Sequence, residues 1–159
     1  MLERCESGGA WQRSKPAYVG CEVHPDFIKF QEFAQWCNAQ IGFGKEGFEF
    51  DKDILIPGNK VYGPDTCCFV PKIINQLMIK NDRNRGAYPI GVTYYKARGV
   101  YEVKMSSGGK NIHVGRFKTI DEAVAAYKVA KKAEIDKYVT IWKDSIDPRV
   151  VAALVGYIP

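Results

Sequence analysis

Apolar residues recur at three- and four-residue intervals over Phe27, Phe30, Phe33, Trp36 and Cys37, the spacing of one helical face. His24-Pro25-Asp26 supplies a start for this helix and Gly42-Phe43-Gly44 a stop. Short strands are predicted around 48–56 and 61–70, broken at the turn signals Pro57-Gly58-Asn59 and Gly63-Pro64-Asp65. A helix follows from about Pro71, with Ile73, Ile74, Leu77 and Met78 on its apolar side. The polar run Asn81-Asp82-Arg83-Asn84-Arg85-Gly86 breaks all periodicity and reads as a linker.

Beyond it lie three strand-like runs, 90–95, 100–105 and 111–117, joined by connections short enough for an antiparallel meander. Thr119-Ile120-Asp121-Glu122 has the form of a capping box, and the helix it opens lines up Ala123, Ala126, Tyr127 and Ala130 to pack on the sheet. A last helix is marked by Asp147 as N-cap, Pro148 in its first turn and Gly156 as its stop. The expected fold class is α+β: a strand-strand-helix (ββα) element with a preceding helix over residues 1–80, a three-stranded antiparallel sheet on one helix over 81–140, and a helical tail over 141–159.

Composition narrows the setting. The chain has 159 residues, 46% of them hydrophobic, and no apolar run approaches the roughly 20 residues that cross a bilayer, so a soluble, cytoplasmic protein with no membrane partner is expected. Five cysteines, Cys5, Cys21, Cys37, Cys67 and Cys68, make an odd count with no two-residue spacing; buried reduced thiols are expected, and no zinc.

Charge is unevenly distributed. Residues 1–79 carry eight Lys and Arg against ten Asp and Glu, residues 80–118 nine against two, and residues 119–159 six against six. A basic block of strands suits a surface that meets nucleic-acid phosphates, although a solvated basic face has the same composition. Alternation puts Tyr101, Val103 and Met105 on one side of their strand with Ile112 and Val114 facing the helix, and leaves Glu102, Lys104, Asn111 and His113 on the open face. Thr93, Tyr95, Lys96, Arg98 and Arg116 join them from strand ends and turns, giving phosphate donors and side chains able to read base edges. His113 also reads as an ordinary exposed strand residue.

The run GVTYYKARGVYEVKMSSGGKNIHVGRFKTIDEAVAAYKVA, about residues 91–130, resembles the Apetala-type (ethylene-response-factor) DNA-binding domain. That resemblance implies a sheet lying in the major groove of double-stranded DNA. Thr93, Glu102, Lys104, Asn111 and His113 would face the bases, with Lys96, Arg98 and Arg116 on phosphates. Plant members carry Arg and Trp at several of these positions, so no target sequence is inherited.

Upstream, YVGCEV, FIKFQEFAQW and FDKDILIPGNKVYGPDTCCFVPKIIN are similar to phage HNH homing endonucleases, which often carry an Apetala-type domain downstream. This second resemblance implies a phage-infected bacterial host and Mg²⁺-dependent cleavage of DNA, with Asp51 and Asn75 as metal ligands. Lys52 stands at the position of the essential histidine, so Lys52 and Asp53 are the catalytic candidates if cutting is retained. A lysine is a cation at neutral pH and Asp51 and Asp53 favour that charged form, so Lys52 suits a phosphate clamp or a salt bridge better than a base.

Thr66 in Pro64-Asp65-Thr66-Cys67 replaces the family's loop-bracing asparagine, a role that Asn59 can partly assume. Asp51, Lys52 and Asp53 also read as a solvated strand end, and Asn75 as an ordinary polar helix position. Three functions are carried forward: a DNA endonuclease, a DNA-binding or regulatory protein that does not cut, and a protein-interaction module inhibiting a host enzyme.

Overall fold

The computed structural model describes residues 1–79 and 87–159. The predicted linker, 81–86, and the expected boundary at 80/81 lie outside the described residues. By its contacts the chain divides into two units, one of residues 1–72 and 143–153 and the other of residues 73–142 and 154–159. The architecture is α+β, and among the described residues no helix is long and apolar enough to cross a membrane.

In the first unit, short helices α1 (Leu2–Cys5) and α2 (Ala10–Ser14) precede β1 (Glu22–Val23), α3 (Pro25–Ile28) and α4 (Phe30–Ala39). Three strands follow: β2 (Phe48–Asp51), β3 (Val61–Tyr62) and β4 (Cys68–Pro71). β2 lies antiparallel to β4, with Phe48 opposite Pro71 and Asp51 opposite Cys68, and β3 lies parallel to β1.

The long helix expected from Phe27 is broken at Lys29, whose extended backbone (φ −82°, ψ 117°) separates α3 from α4. Phe27 and Phe30 therefore leave a common stripe: Phe27 is 2% exposed and Phe30 76%. Phe27 packs with Phe33 and Trp36, and Trp36 with Phe50 and Phe69, over a core that includes Cys21, Tyr62 and Cys67. All five cysteines are free thiols; burial pushes Cys67 up to about 11 and Cys68 higher still, which keeps both in the unreactive thiol form.

The second unit holds most of α5 (Lys72–Met78), then β5 (Val92–Tyr95), β6 (Val100–Ser107), β7 (Lys110–Phe117) and α6 (Ile120–Trp142). The three strands form an antiparallel meander in the order β5-β6-β7, as the spacing of the turns predicts. The hairpin from β6 to β7 turns on Gly108 and Gly109, both at positive φ, the backbone that a two-residue hairpin loop with the sheet's own twist requires.

The capping box at the start of α6 is formed: Glu122 N donates to Thr119 Oγ1 at 3.3 Å and Thr119 N to Glu122 Oε2 at 3.2 Å. Ala123 and Tyr127 from this helix pack on Val92, Val103 and Met105 of the sheet. The last helix, α7 (Pro148–Val155), starts as read: Asp147 accepts from Arg149 N at 2.8 Å and pairs with the Arg149 guanidinium at 2.7 Å.

At Gly91 the chain leading into β5 comes close to α6 and β6. The φ of Gly91 is +75°, and a Cβ there would lie 2.4 Å from the Tyr127 ring and 2.6 Å from the Lys104 carbonyl oxygen. Gly91→Ala should therefore destabilise the protein by on the order of 3 kcal/mol, overpacking adding to the left-handed backbone penalty. Chemical denaturation reads this directly, and an unchanged midpoint would mean that the sheet and α6 are less closely packed than described.

Candidate nucleic-acid interface and the Asp51 to Asn59 network

The open face of the second unit's sheet is built by register. Thr93 on β5 sits opposite Glu102 on β6, which sits opposite Arg116 on β7; Lys104 sits opposite His113, and Ser106 opposite Asn111. One irregularity decides the composition of this face. Val103 pairs with Gly115 while Lys104 pairs with His113, so Val114 is an extra residue, a β-bulge.

Strict alternation would put Arg116 on the side opposite to His113, three residues away. The bulge turns it onto the same side, while Val114 and Phe117 pack toward the core. Thr93, Tyr95, Lys104, Asn111, His113 and Arg116 are all exposed.

Glu102 is the hub of this face, a role that residue type and alternation alone do not reveal. Its carboxylate is 2.6 Å from Lys104 Nζ, 3.1 Å from Arg116 Nη2 and 3.5 Å from His113 Nε2. Hydrogen bonds from Lys104 and then Arg116 hold the Glu102 carboxyl below the usual range, so it stays ionised and keeps both cations oriented.

Most of the donor capacity is left over. Arg116 uses Nε and one Nη2 hydrogen on Glu102, leaving three N–H groups, and Lys104 has two more beyond its ion pair. At the end of β5 the turn Lys96–Arg98 closes on Gly99, with the Arg98 guanidinium 5.8 Å from the centre of the Tyr95 ring. Ser106, which the residue-by-residue reading did not select, lies on the same face by its spacing from Lys104.

The second arrangement lies in the first unit, where β2 ends. Asp51 Oδ1 accepts from Asp53 N at 2.8 Å and Ile54 N at 2.7 Å, a local turn that stops the strand. Burial raises the Asp51 pKa above its ordinary value, against the two backbone hydrogen bonds that favour the anion. β2 stops at Asp51, so Asp53 lies beyond the strand.

The Lys52 side chain turns inward, only 7% exposed, and Nζ donates to Asp53 Oδ1 at 2.6 Å and to the Asn59 carbonyl at 2.7 Å, 5.7 Å from the centre of the Tyr62 ring. Asn59 Nδ2 donates in turn to the carbonyls of Lys52 at 2.8 Å and Val61 at 2.7 Å. Thr66 braces the adjacent turn, its Oγ1 accepting from Gly63 N and donating to the Val61 carbonyl.

Lys52 is thus a cross-brace between the end of β2 and the loop leading to β3. An ammonium that donates to a carboxylate and a carbonyl offers no lone pair to a water molecule. Asp51, Lys52, Asp53 and Asn59 share this local network; Asn75 is half-buried on α5 and belongs to the second unit. His24 caps α3, its Nδ1 accepting from Asp26 N at 3.3 Å.

As a site for Mg²⁺ the donors present fit poorly. One Asp51 oxygen is committed to two backbone N–H groups, and Asp53 carries the Lys52 ammonium, whose charge would repel a divalent cation. Among the described residues no three His, Cys, Asp or Glu side chains converge as a metal-binding group. Comparison with protein-family models, with curated proteins and with solved structures gives no match for this chain.

Proposed function

We propose that this protein binds double-stranded DNA through the open face of the β5-β6-β7 sheet and works by occupying DNA rather than by cutting it. The observation that carries this reading is the convergence of Lys104, His113 and Arg116 on one exposed strand face, with Lys96 and Arg98 at its edge. A sheet backed by a helix on one side and lined with cationic and amide donors on the other has the shape and chemistry to enter the major groove. The resemblance of residues 91–130 to the Apetala-type domain supports the same surface.

On this reading Lys96 and Arg98 meet phosphates, while Thr93, Glu102, Asn111 and His113 face base edges. Arg116 and Lys104 lie between the two groups and serve whichever is nearer. The brace made by Lys52 favours the non-cutting form within the HNH-like setting, because the residue at the histidine position is occupied in holding a loop.

Salt titration of binding to a mixed-sequence duplex tests the proposal. A face that neutralises four or five phosphates should lose affinity with a log–log slope of about −4. Binding that is undetectable at low salt, or that does not respond to salt, would transfer the basic face to an acidic protein partner instead.

A further inference from the structure

The buried stripe of α6 runs Ala123, Tyr127, Lys131, Ile135 and Tyr138, a helical spacing in which one position is a lysine among apolar and aromatic side chains. Lys131 is only 7% exposed. Its Nζ donates to the carbonyl of Leu77 in the last turn of α5, where backbone oxygens lack partners within the helix and a cation is favoured.

That contact uses one of three ammonium donors. Among the described residues no carboxylate forms an ion pair with Lys131. Glu134, one turn away, accepts instead from Ser107 and Lys137. Burial accordingly holds the Lys131 pKa below the ordinary lysine value.

Lys131 borders a cavity of about 140 Å³ whose other walls include Leu77, Met78, Ile90, Tyr127 and Tyr157. All of these residues belong to the second unit. A cavity of this size, about 150 Å³, is enough to take up benzene when its lining is apolar. Here the lining is apolar on the side of Leu77, Met78 and Ile90 and carries one cation that has no ion-pair partner among the described residues.

From the cavity and the buried amine that borders it we infer a binding site for a small apolar monocarboxylate of about the size of benzoate, its carboxylate on Lys131 Nζ and its ring against Leu77, Met78 and Ile90. The ligand supplies a direct ion-pair partner for Lys131, and its apolar body displaces water from an apolar wall. A second carboxylate, or a chain much longer than the cavity, would not be accommodated. This inference is independent of DNA binding.

The test uses the full-length protein with sodium benzoate as probe and benzamide as its neutral isostere, followed by methyl NMR. Saturable shifts are expected at the methyl groups of Leu77, Met78 and Ile90, with benzamide at least about tenfold weaker because it brings no negative charge to the ammonium. Lys131→Met keeps the length of the stem and removes the charge; it should abolish the preference for benzoate.

Should that variant not fold, the ratio of benzoate to benzamide in the wild-type protein decides the matter. Equal affinities, no shifts at these methyl groups with millimolar benzoate, or shifts confined to the Thr93 methyl on the basic face would each overturn the inference.

Discussion

The double variant Lys104→Ala/Arg116→Ala should bind duplex DNA about a hundredfold more weakly than the wild-type protein at low salt, and its salt slope should flatten by about 2. Both cations are exposed on the open face of the sheet, with donors beyond those they give to Glu102. Their loss also leaves Glu102 as an unbalanced anion where phosphates approach, so the effect exceeds that of two missing contacts. Thermal stability should hardly change, because exposed ion pairs contribute little to folding. A variant that retains wild-type affinity and slope would remove the sheet face from the interaction, and a collapse in stability would show that the cations serve the fold.

The second large effect concerns Lys52. Lys52→Ala should destabilise the protein by roughly 2–3 kcal/mol, a fall in Tm of about 5–10 °C. The Asn59 carbonyl loses its side-chain donor and the buried stem leaves a void beside Tyr62. Because Asp53 is more than half exposed, its ion pair is screened by solvent and adds only a minor share.

DNA affinity should be unaffected, and neither wild-type protein nor variant should nick supercoiled plasmid with Mg²⁺ or Mn²⁺. Metal-dependent nicking by the wild-type protein that disappears in both Asp51→Ala and Lys52→Ala would overturn the non-cutting reading. A Lys52→Ala protein as stable as the wild type would refute the brace.

The two halves of the chain differ in how far they can be read from sequence. In the second unit, alternation, short turns and the capping box each act locally, so the three strands, their order and the start of α6 follow from nearest neighbours. In the first unit the same reasoning fails at two identifiable points. Phe30 belongs to the apolar spacing, yet the break at Lys29 turns it outward, a choice made by the packing of Phe27 against Phe33 and Trp36. β3 pairs with β1 in parallel across some forty residues of chain, which no local turn signal encodes.

The candidate sites show the same division. Residue type and period placed Glu102, Lys104, Asn111 and His113 on one face, and positive charge concentrated in 80–118 pointed to that region. The bulge at Val114, which brings Arg116 to the same face, depends on pairing between strands and on the burial of Val114 and Phe117.

Sequence also marked Lys52 as a cation between two aspartates, suited to a salt bridge. That its partners are Asp53 and the Asn59 carbonyl, and that it turns inward, depends on the path of the loop back toward β3. Lys131 likewise sits on the apolar period of α6, but only the approach of α5 and the C-terminal residues makes its position a cavity wall.

Sequence by itself determined the α+β class, the meander, the starts of α3, α6 and α7 and the basic region, because each rests on interactions within a few residues. Tertiary structure alone decided which charges meet and which are buried. Those outcomes depend on the desolvation of groups brought together from distant parts of the chain, a cost that no local pattern carries.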